Sequence, residues 1–333
     1  MKVFKKLDNL LIDKLSINDL NNFGLSTENY STRLKIDTGF KCNAKCKYCY
    51  YLTKVNNPDF SKEDIIKQID KAVEKGFQSI EFSGGESTIH PDFIEFVKYA
   101  KSKGLITSVI TNGSFNEDLL LKVNGYLDEI MFSIHGNSNT HDNILKIPNA
   151  YQTIFKHINF IKTNYINTRI RFNVIINNKS IFELEEFVPK IIKSSPSQIN
   201  FLPINEFSDA KSIGKRQQSI IHDNINLLEQ SIDFINKQEL STDINIRYFE
   251  FCKIDTKYHK YLKNYLHHYF ENDWNPFYTY KREIMNIKDN CIFTEDVFKK
   301  IKNNLKDNRS TQYYKIKECF KCNFNKVCDG FKN

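Results

Sequence analysis

Three cysteines, Cys42, Cys46 and Cys49, fall inside eight positions in the stretch KCNAKCKYCYY (41–51). Thiolates spaced C-x3-C-x2-C on one tight loop are close enough to serve one metal centre and too close to serve two. A structural zinc ion wants four ligands, and no fourth stands nearby, the first histidine of the chain being His90. A cubane iron–sulfur cluster held by three thiolates instead keeps one iron open to a further ligand, which suits catalysis. The spacing favours a cluster, with zinc as the alternative. A second dense trio, Cys319-x2-Cys322-x5-Cys328, lies in the closing stretch KECFKCNFNKVCDGFKN, where a zinc knuckle is a serious competitor.

Eight cysteines could also form a disulfide framework, but the rest of the sequence opposes it. A chain of 333 residues can bury a self-sufficient core without staples. The opening MKVFKKLDNLLIDKLSIND is charged throughout and lacks the apolar centre of a signal peptide. No apolar run approaches the length of a bilayer span, so no membrane association is expected. The expected compartment is a reducing cytoplasm, where clustered cysteines bind metal more often than they pair. The net charge of +8 comes from lysines scattered along the chain and reads as a solvated surface, which argues against a nucleic-acid partner.

The loops must be positioned by regular elements, and up to residue 205 these alternate. RLKIDT (33–38) reads as a strand and 61–76 as a helix with a Ser N-cap, an acidic first turn and a closing Gly. QSIEFSGGE is a strand running into a glycine turn, followed by a helix over 90–104. LITSVITNG, a helix across NEDLLLKVN, DEIMFSIHG, a helix over 148–164, RIRFNVIIN, a helix over 180–193 and QINFLPI complete the series. Six strands in βα units predict an α/β fold, a partial (β/α)6 barrel of parallel strands. Chemistry on such folds sits in the loops at the C-terminal strand ends. Those loops hold the cysteine trio, Ser83-Gly84-Gly85-Glu86, Thr111-Asn112-Gly113 and Ser133-Ile134-His135-Gly136.

Cys42-x3-Cys46-x2-Cys49, with Tyr48 just before the last cysteine, resembles the signature of the radical S-adenosylmethionine (radical SAM) superfamily. The GGE after the second strand resembles that family's methionine-binding turn, and the resemblance covers roughly residues 30–205. It implies that Cys42, Cys46 and Cys49 ligate three irons of a [4Fe-4S] cluster while SAM chelates the fourth. Gly84 and Gly85 would let the backbone approach that ligand, and Glu86 occupies the position that contacts the methionine amine. The turn reads GGES where GGEP is frequent, so Ser87 replaces a proline. Ser133 matches a position that often binds ribose. Asn173 is a candidate for the SAM carboxylate or ribose, with an inward structural Asn as the competing reading, and Tyr48 is a candidate contact to adenine. The implied reaction is reductive cleavage of SAM to methionine and a 5′-deoxyadenosyl radical, which takes a hydrogen atom from a substrate; a reduced flavodoxin or ferredoxin is the implied electron donor. His135 and His141 are candidates for proton transfer, loop or capping groups being the commoner role of such residues.

Beyond residue 205 the alternation breaks into an α-rich and irregular extension. Its aromatic run KYHKYLKNYLHHYFENDWNPFYTYKRE fits a core more readily than a substrate face, and His267-His268 lacks ligand-like spacing. The trio Cys319, Cys322 and Cys328 resembles the core of the SPASM and twitch extensions, which bind auxiliary clusters in many radical SAM enzymes, although the further cysteines of a full SPASM pattern do not follow Cys328. This implies at most a second [4Fe-4S] cluster, with Cys291 or Cys252 as fourth ligand or with that position open to substrate; Cys252 in YFEFCKI also reads as a small buried hydrophobe. The expected organisation is an N-terminal segment (1–30), a radical SAM barrel (31–205) and a twitch-like extension (206–333). The expected substrate is a peptide or protein, the alternative being a carbohydrate or other small metabolite. A zinc-binding, RNA-interacting protein is the alternative from another class, and it does not explain a GGE turn beside a cysteine loop.

Overall fold

The structure, a computed structural model, describes residues 33–46, 48–49, 51, 54, 56–74, 77–204, 219–262, 313–323 and 331–332. The expected N-terminal segment, Cys291, Cys328 and His267-His268 lie outside the described residues. The chain divides into two units, Arg33–Arg247 and Met1–Thr32 with Tyr248–Asn333.

The first unit is a half-barrel of seven parallel strands in sequence order. They are β1 (Arg33–Asp37), β2 (Ser79–Ser83), β3 (Ile106–Thr111), β4 (Glu129–Ile134), β5 (Arg169–Ile176), β6 (Gln198–Pro203) and β7 (Asp243–Ile246). The crossovers carry α1 (Lys62–Glu74), α2 (Phe93–Ser102), α3 (Asp118–Lys122), α4 (Ser138–Leu145) with α5 (Ala150–Thr163), α6 (Ser180–Ile192) and α7 (Ile225–Asn236). Six strands were expected and seven are present. The seventh lies in the stretch read as extension, because DINI is too short, and its surroundings too polar, for the alternation to show.

Local signals explain the elements. Ser61 caps α1 by accepting the Asp64 N–H at 3.2 Å, while its hydroxyl donates to the Asp64 carboxylate at 2.8 Å. Ile65, Ile69 and Ala72 recur on one buried face of that helix. Strand alternation sorts the side chains. Ile36, Phe82, Val109, Ile130, Phe132, Phe172, Val174, Ile199 and Phe201 are buried against the helices, and burial of each such side chain contributes about 1.5–3 kcal/mol. The alternate residues face the lumen and are largely polar. Toward the N-terminal strand ends Arg33 and Arg171 each pair with Glu81 and Glu129, at 2.7–3.2 Å, and Arg169 adds a contact to Glu129 at 2.7 Å. Burial pushes the Glu81 carboxyl up, but Arg33, Arg171, Lys35 and Arg247 outweigh it and hold the group below the usual carboxylate range.

In the second unit the described residues include short 3-10 turns at Phe251–Lys253, Thr256–Tyr261 and Lys317–Lys321, and an antiparallel pair, β8 (Tyr313–Tyr314) with β9 (Phe331–Lys332). Among the described residues no helix is long and apolar enough to cross a membrane.

Candidate functional site

The cysteine loop leaves the C-terminal end of β1 and lies directly against the glycine turn that leaves β2. Thr38 N–H donates to the Ser83 carbonyl at 2.8 Å, Gly85 N–H to Gly39 at 2.9 Å and Glu86 N–H to Lys41 at 2.9 Å, so the β1–β2 ladder continues into the two loops. This contact requires glycine. A Cβ on Gly85 would stand 2.0 Å from the Lys41 carbonyl oxygen, and one on Gly84, at φ +125°, would stand 2.3 Å from that of Gly39. The two glycines thus make room for the cysteine loop itself. Asp59 completes the support, its Oδ1 accepting the N–H groups of Phe40 and Lys41 at 3.0 and 3.1 Å.

Glu86 buckles the turn to the next strand. Its Oε1 accepts the hydroxyls of Thr88 and Thr111 at 2.6 and 2.7 Å, and Oε2 accepts the Asn112 N–H at 2.7 Å. Burial raises the Glu86 carboxyl, and these donors work against the rise. Asn112 in turn reaches the cysteine loop: its Nδ2 donates to Asn43 Oδ1 at 2.8 Å and lies 3.9 Å from Cys42 Sγ, while Asn43 Nδ2 donates to the Ser114 carbonyl at 2.6 Å. Three successive strand ends are thereby laced together.

Burial pushes the Cys42 thiol up to about 11 and that of Cys46 to about 12, and it raises Cys49. Negative neighbours, Glu86 for Cys42 and the fellow cysteines for both, add to the rise. Three adjacent thiolates in this loop therefore need a cationic centre, and coordinated iron deprotonates its thiols. N–H donors already approach the sulfurs, from Ala44 to Cys42 at 3.4 Å and from Tyr51 to Cys49 at 3.3 Å. Each thiolate of a cubane binds its own iron, so such a trio need not converge on one point; among the described residues no three His, Cys, Asp or Glu side chains do. The donor set fits a [4Fe-4S] cluster, which Cys42, Cys46 and Cys49 would hold.

On the opposite side of the loop the Tyr48 hydroxyl meets His135 Nδ1 at 2.8 Å. Burial raises the Tyr48 phenol and brings His135 down to about 4, so Tyr48 donates and neutral His135 accepts. His141, lowered to about 2 by burial and by His135, accepts the His135 backbone N–H at Nδ1 (3.3 Å). Asn177 donates to the His135 carbonyl at 2.8 Å and caps α6. The histidines thus sit in a neutral, buried brace under the rim. Ser133 and Asn173 are register partners on β4 and β5, both half-buried on the lumen side.

In the second unit Cys252 stands within electrostatic reach of Cys319 and Cys322, from a distant part of the chain. Partial desolvation raises the thiol of the otherwise exposed Cys252, Glu250 raises it further, and so do Cys319 and Cys322. The Cys322 N–H donates to the Cys319 carbonyl at 3.1 Å, the same turn that joins Cys49 to Cys46 at 3.2 Å. Cys252 is exposed, which removes the buried-hydrophobe reading.

Residues that the sequence did not single out include Thr111 and Asn112, visible only as a turn; Asn177, whose offset of three from Ser180 was a cap signal; and Gln198, Asn200 and Asn245, which only strand register brings together. Asp37 is another: buried at the end of β1, it accepts the Tyr51 hydroxyl at 2.7 Å.

Residues 36–188 match the Radical SAM superfamily. A protein from Flammeovirga pacifica described as an S-adenosylmethionine-dependent nucleotide dehydratase is 31% identical over 156 residues, which is 41% of this chain and 54% of that protein. The chain spans about half the length of the curated relatives it matches first. Among solved structures, native anSMEcpe with bound AdoMet and the Cp18Cys peptide is similar with a TM-score of 0.53 and 15% identity, over 90% of this chain and 88% of that one. Streptococcus suis SuiB bound to its precursor peptide SuiA gives a TM-score of 0.54 and 17% identity, over 68% of this chain and 51% of that one. The matched stretch carries the cysteine loop, the glycine turn and most of the strands of the half-barrel that holds both, so this part of the chain is similar to the radical SAM superfamily.

Proposed function

We propose that this chain is a radical SAM enzyme that takes a hydrogen atom from a peptide or protein substrate in a reducing cytoplasm, with a reduced flavodoxin or ferredoxin as electron donor. The bound cluster and SAM would supply the hydrogen-abstracting radical. Cys42, Cys46 and Cys49 hold the cluster, the Gly84-Gly85-Glu86 turn forms the wall beside it, and Ser133 and Asn173 face the lumen in which SAM and substrate would lie. The helices seal the outer face of the sheet, which keeps water from that side of the lumen. What supports the peptide reading is the closing cysteine set, whose sequence resembles an auxiliary-cluster extension and in which Cys319 and Cys322 lie near enough to Cys252 to raise its thiol. The two structural neighbours were solved with peptides bound, and their identity to this chain limits what they support to the fold.

A second reading has its own support: the 31% identical relative is described as a nucleotide dehydratase. One experiment separates the two. Reconstituted protein is incubated anaerobically with SAM and reductant, and either with peptides encoded beside its gene or with nucleoside triphosphates, and 5′-deoxyadenosine and substrate mass are measured. Peptide-dependent turnover with a changed peptide mass supports the proposal. Turnover stimulated only by nucleotides overturns it in favour of the second reading.

A further inference from the structure

The lumen holds a row of side-chain amides whose polarity is set from one end. Arg171 can only donate, and its Nε gives a hydrogen bond to Gln198 Oε1 at 2.7 Å. The guanidinium is itself pinned by Glu81 and Glu129, at 3.2 and 2.8 Å. Gln198 must therefore turn its NH2 away, and Nε2 donates to Asn200 Oδ1 at 2.9 Å. Asn245, the register partner of Asn200 on β7, donates to the same oxygen at 2.9 Å. With its oxygen committed, Asn200 offers Nδ2 to Asn173 Oδ1 at 2.8 Å. That leaves the Asn173 NH2 as the open end of the chain, with no acceptor among the described residues. Asn200 is 2% exposed and Asn245 7%, so bulk water does not offer the amides an easy way to turn over.

We infer that Gln198 and Asn200 are positioning residues that hold Asn173 as a hydrogen-bond donor, so that its place in the lumen takes an oxygen acceptor of bound SAM, the carboxylate or a ribose hydroxyl. The identity of the ligand rests on the functional reading above; the polarity rests on Arg171. An asparagine without this chain would present either end of its amide. Here the buried cation decides, three hydrogen bonds away, which end a ligand meets.

Gln198→Glu tests the chain without removing it. The new carboxylate still accepts from Arg171 but cannot donate to Asn200. Asn200 and Asn245 then turn over, and Asn173 presents its oxygen where it had presented NH2. Equilibrium dialysis of SAM against the reconstituted protein should show binding about tenfold weaker, the scale of losing one hydrogen bond to a charged or strongly polar ligand group. In an Asn173→Ala background the same Gln198→Glu change should cost nothing further, while thermal melts of both proteins stay alike. An equal loss in the Asn173→Ala background would overturn the inference, because it would mark a general distortion; so would unchanged SAM binding by Gln198→Glu. Dialysis of 5′-deoxyadenosine alone assigns the acceptor: its weakening points to a ribose hydroxyl, and its indifference beside weakened SAM points to the carboxylate. A wild-type protein that binds no SAM would refute the functional reading instead, which keeps the two failures distinct.

Discussion

Glu86 holds the backbone N–H of Asn112 at 2.7 Å, tying the turn after β2 to the turn after β3. Since Asn112 in turn reaches Asn43 and Cys42, this one carboxylate governs the spacing of three strand ends. Glu86→Gln keeps the shape but sets an NH2 against donors, and should cost roughly 1–3 kcal/mol of stability. Glu86→Ala should cost more and lower the iron content after reconstitution. Denaturant melts and iron analysis check both, and wild-type values for Glu86→Ala would show that the buckle is dispensable.

Gly85→Ala should be more damaging than its single methyl suggests, because the added carbon would stand 2.0 Å from the Lys41 carbonyl. The loops must part, at a cost of about 1–3 kcal/mol by the scale of overpacking. A melting temperature close to wild type would show that the two loops have more freedom than this contact allows.

Iron and sulfide content separate the two thiol sets. Reconstituted wild type should hold about eight irons and the Cys42/Cys46/Cys49→Ala variant about four, on cubane stoichiometry. Cys252→Ala should leave the first cluster intact and lower the second. Zinc with no iron in the wild type would contradict the assignment of the loop.

His141 makes the domain sensitive to mild acid. Its folded value, about 2, lies below the ordinary histidine value of about 6.5, so the unfolded chain takes up the proton first. The stability from neutral His141 is complete above about pH 6.5 and is lost progressively as pH falls below it. Melts from pH 7 to pH 5 should show a decline that His141→Gln flattens. Equal slopes in the two proteins would mean that other groups carry the acid response.

Much of this was legible because it is local. The cysteine spacing, the GGE turn and the Ser61 cap each sit within a few residues, and alternation in RIRFNVII or EIMFSI announces a strand. What the sequence hid depends on register. Asn173, Asn200 and Asn245 form a row only when three parallel strands align, and nothing near each one says so. β7 was hidden by brevity. His135 and His141 were open between proton transfer and loop bracing, because a sequence shows side-chain type but not burial.

The half-barrel keeps its apolar packing in a shell between sheet and helices and its polar residues at the centre. Stability and selectivity are thus written on opposite faces of the same strands, in alternating letters. Lumen positions above the ion-paired floor can drift through evolution toward new ligands while the shell goes on specifying the fold. One scaffold can in this way diversify its chemistry by point changes, without rebuilding what holds it together.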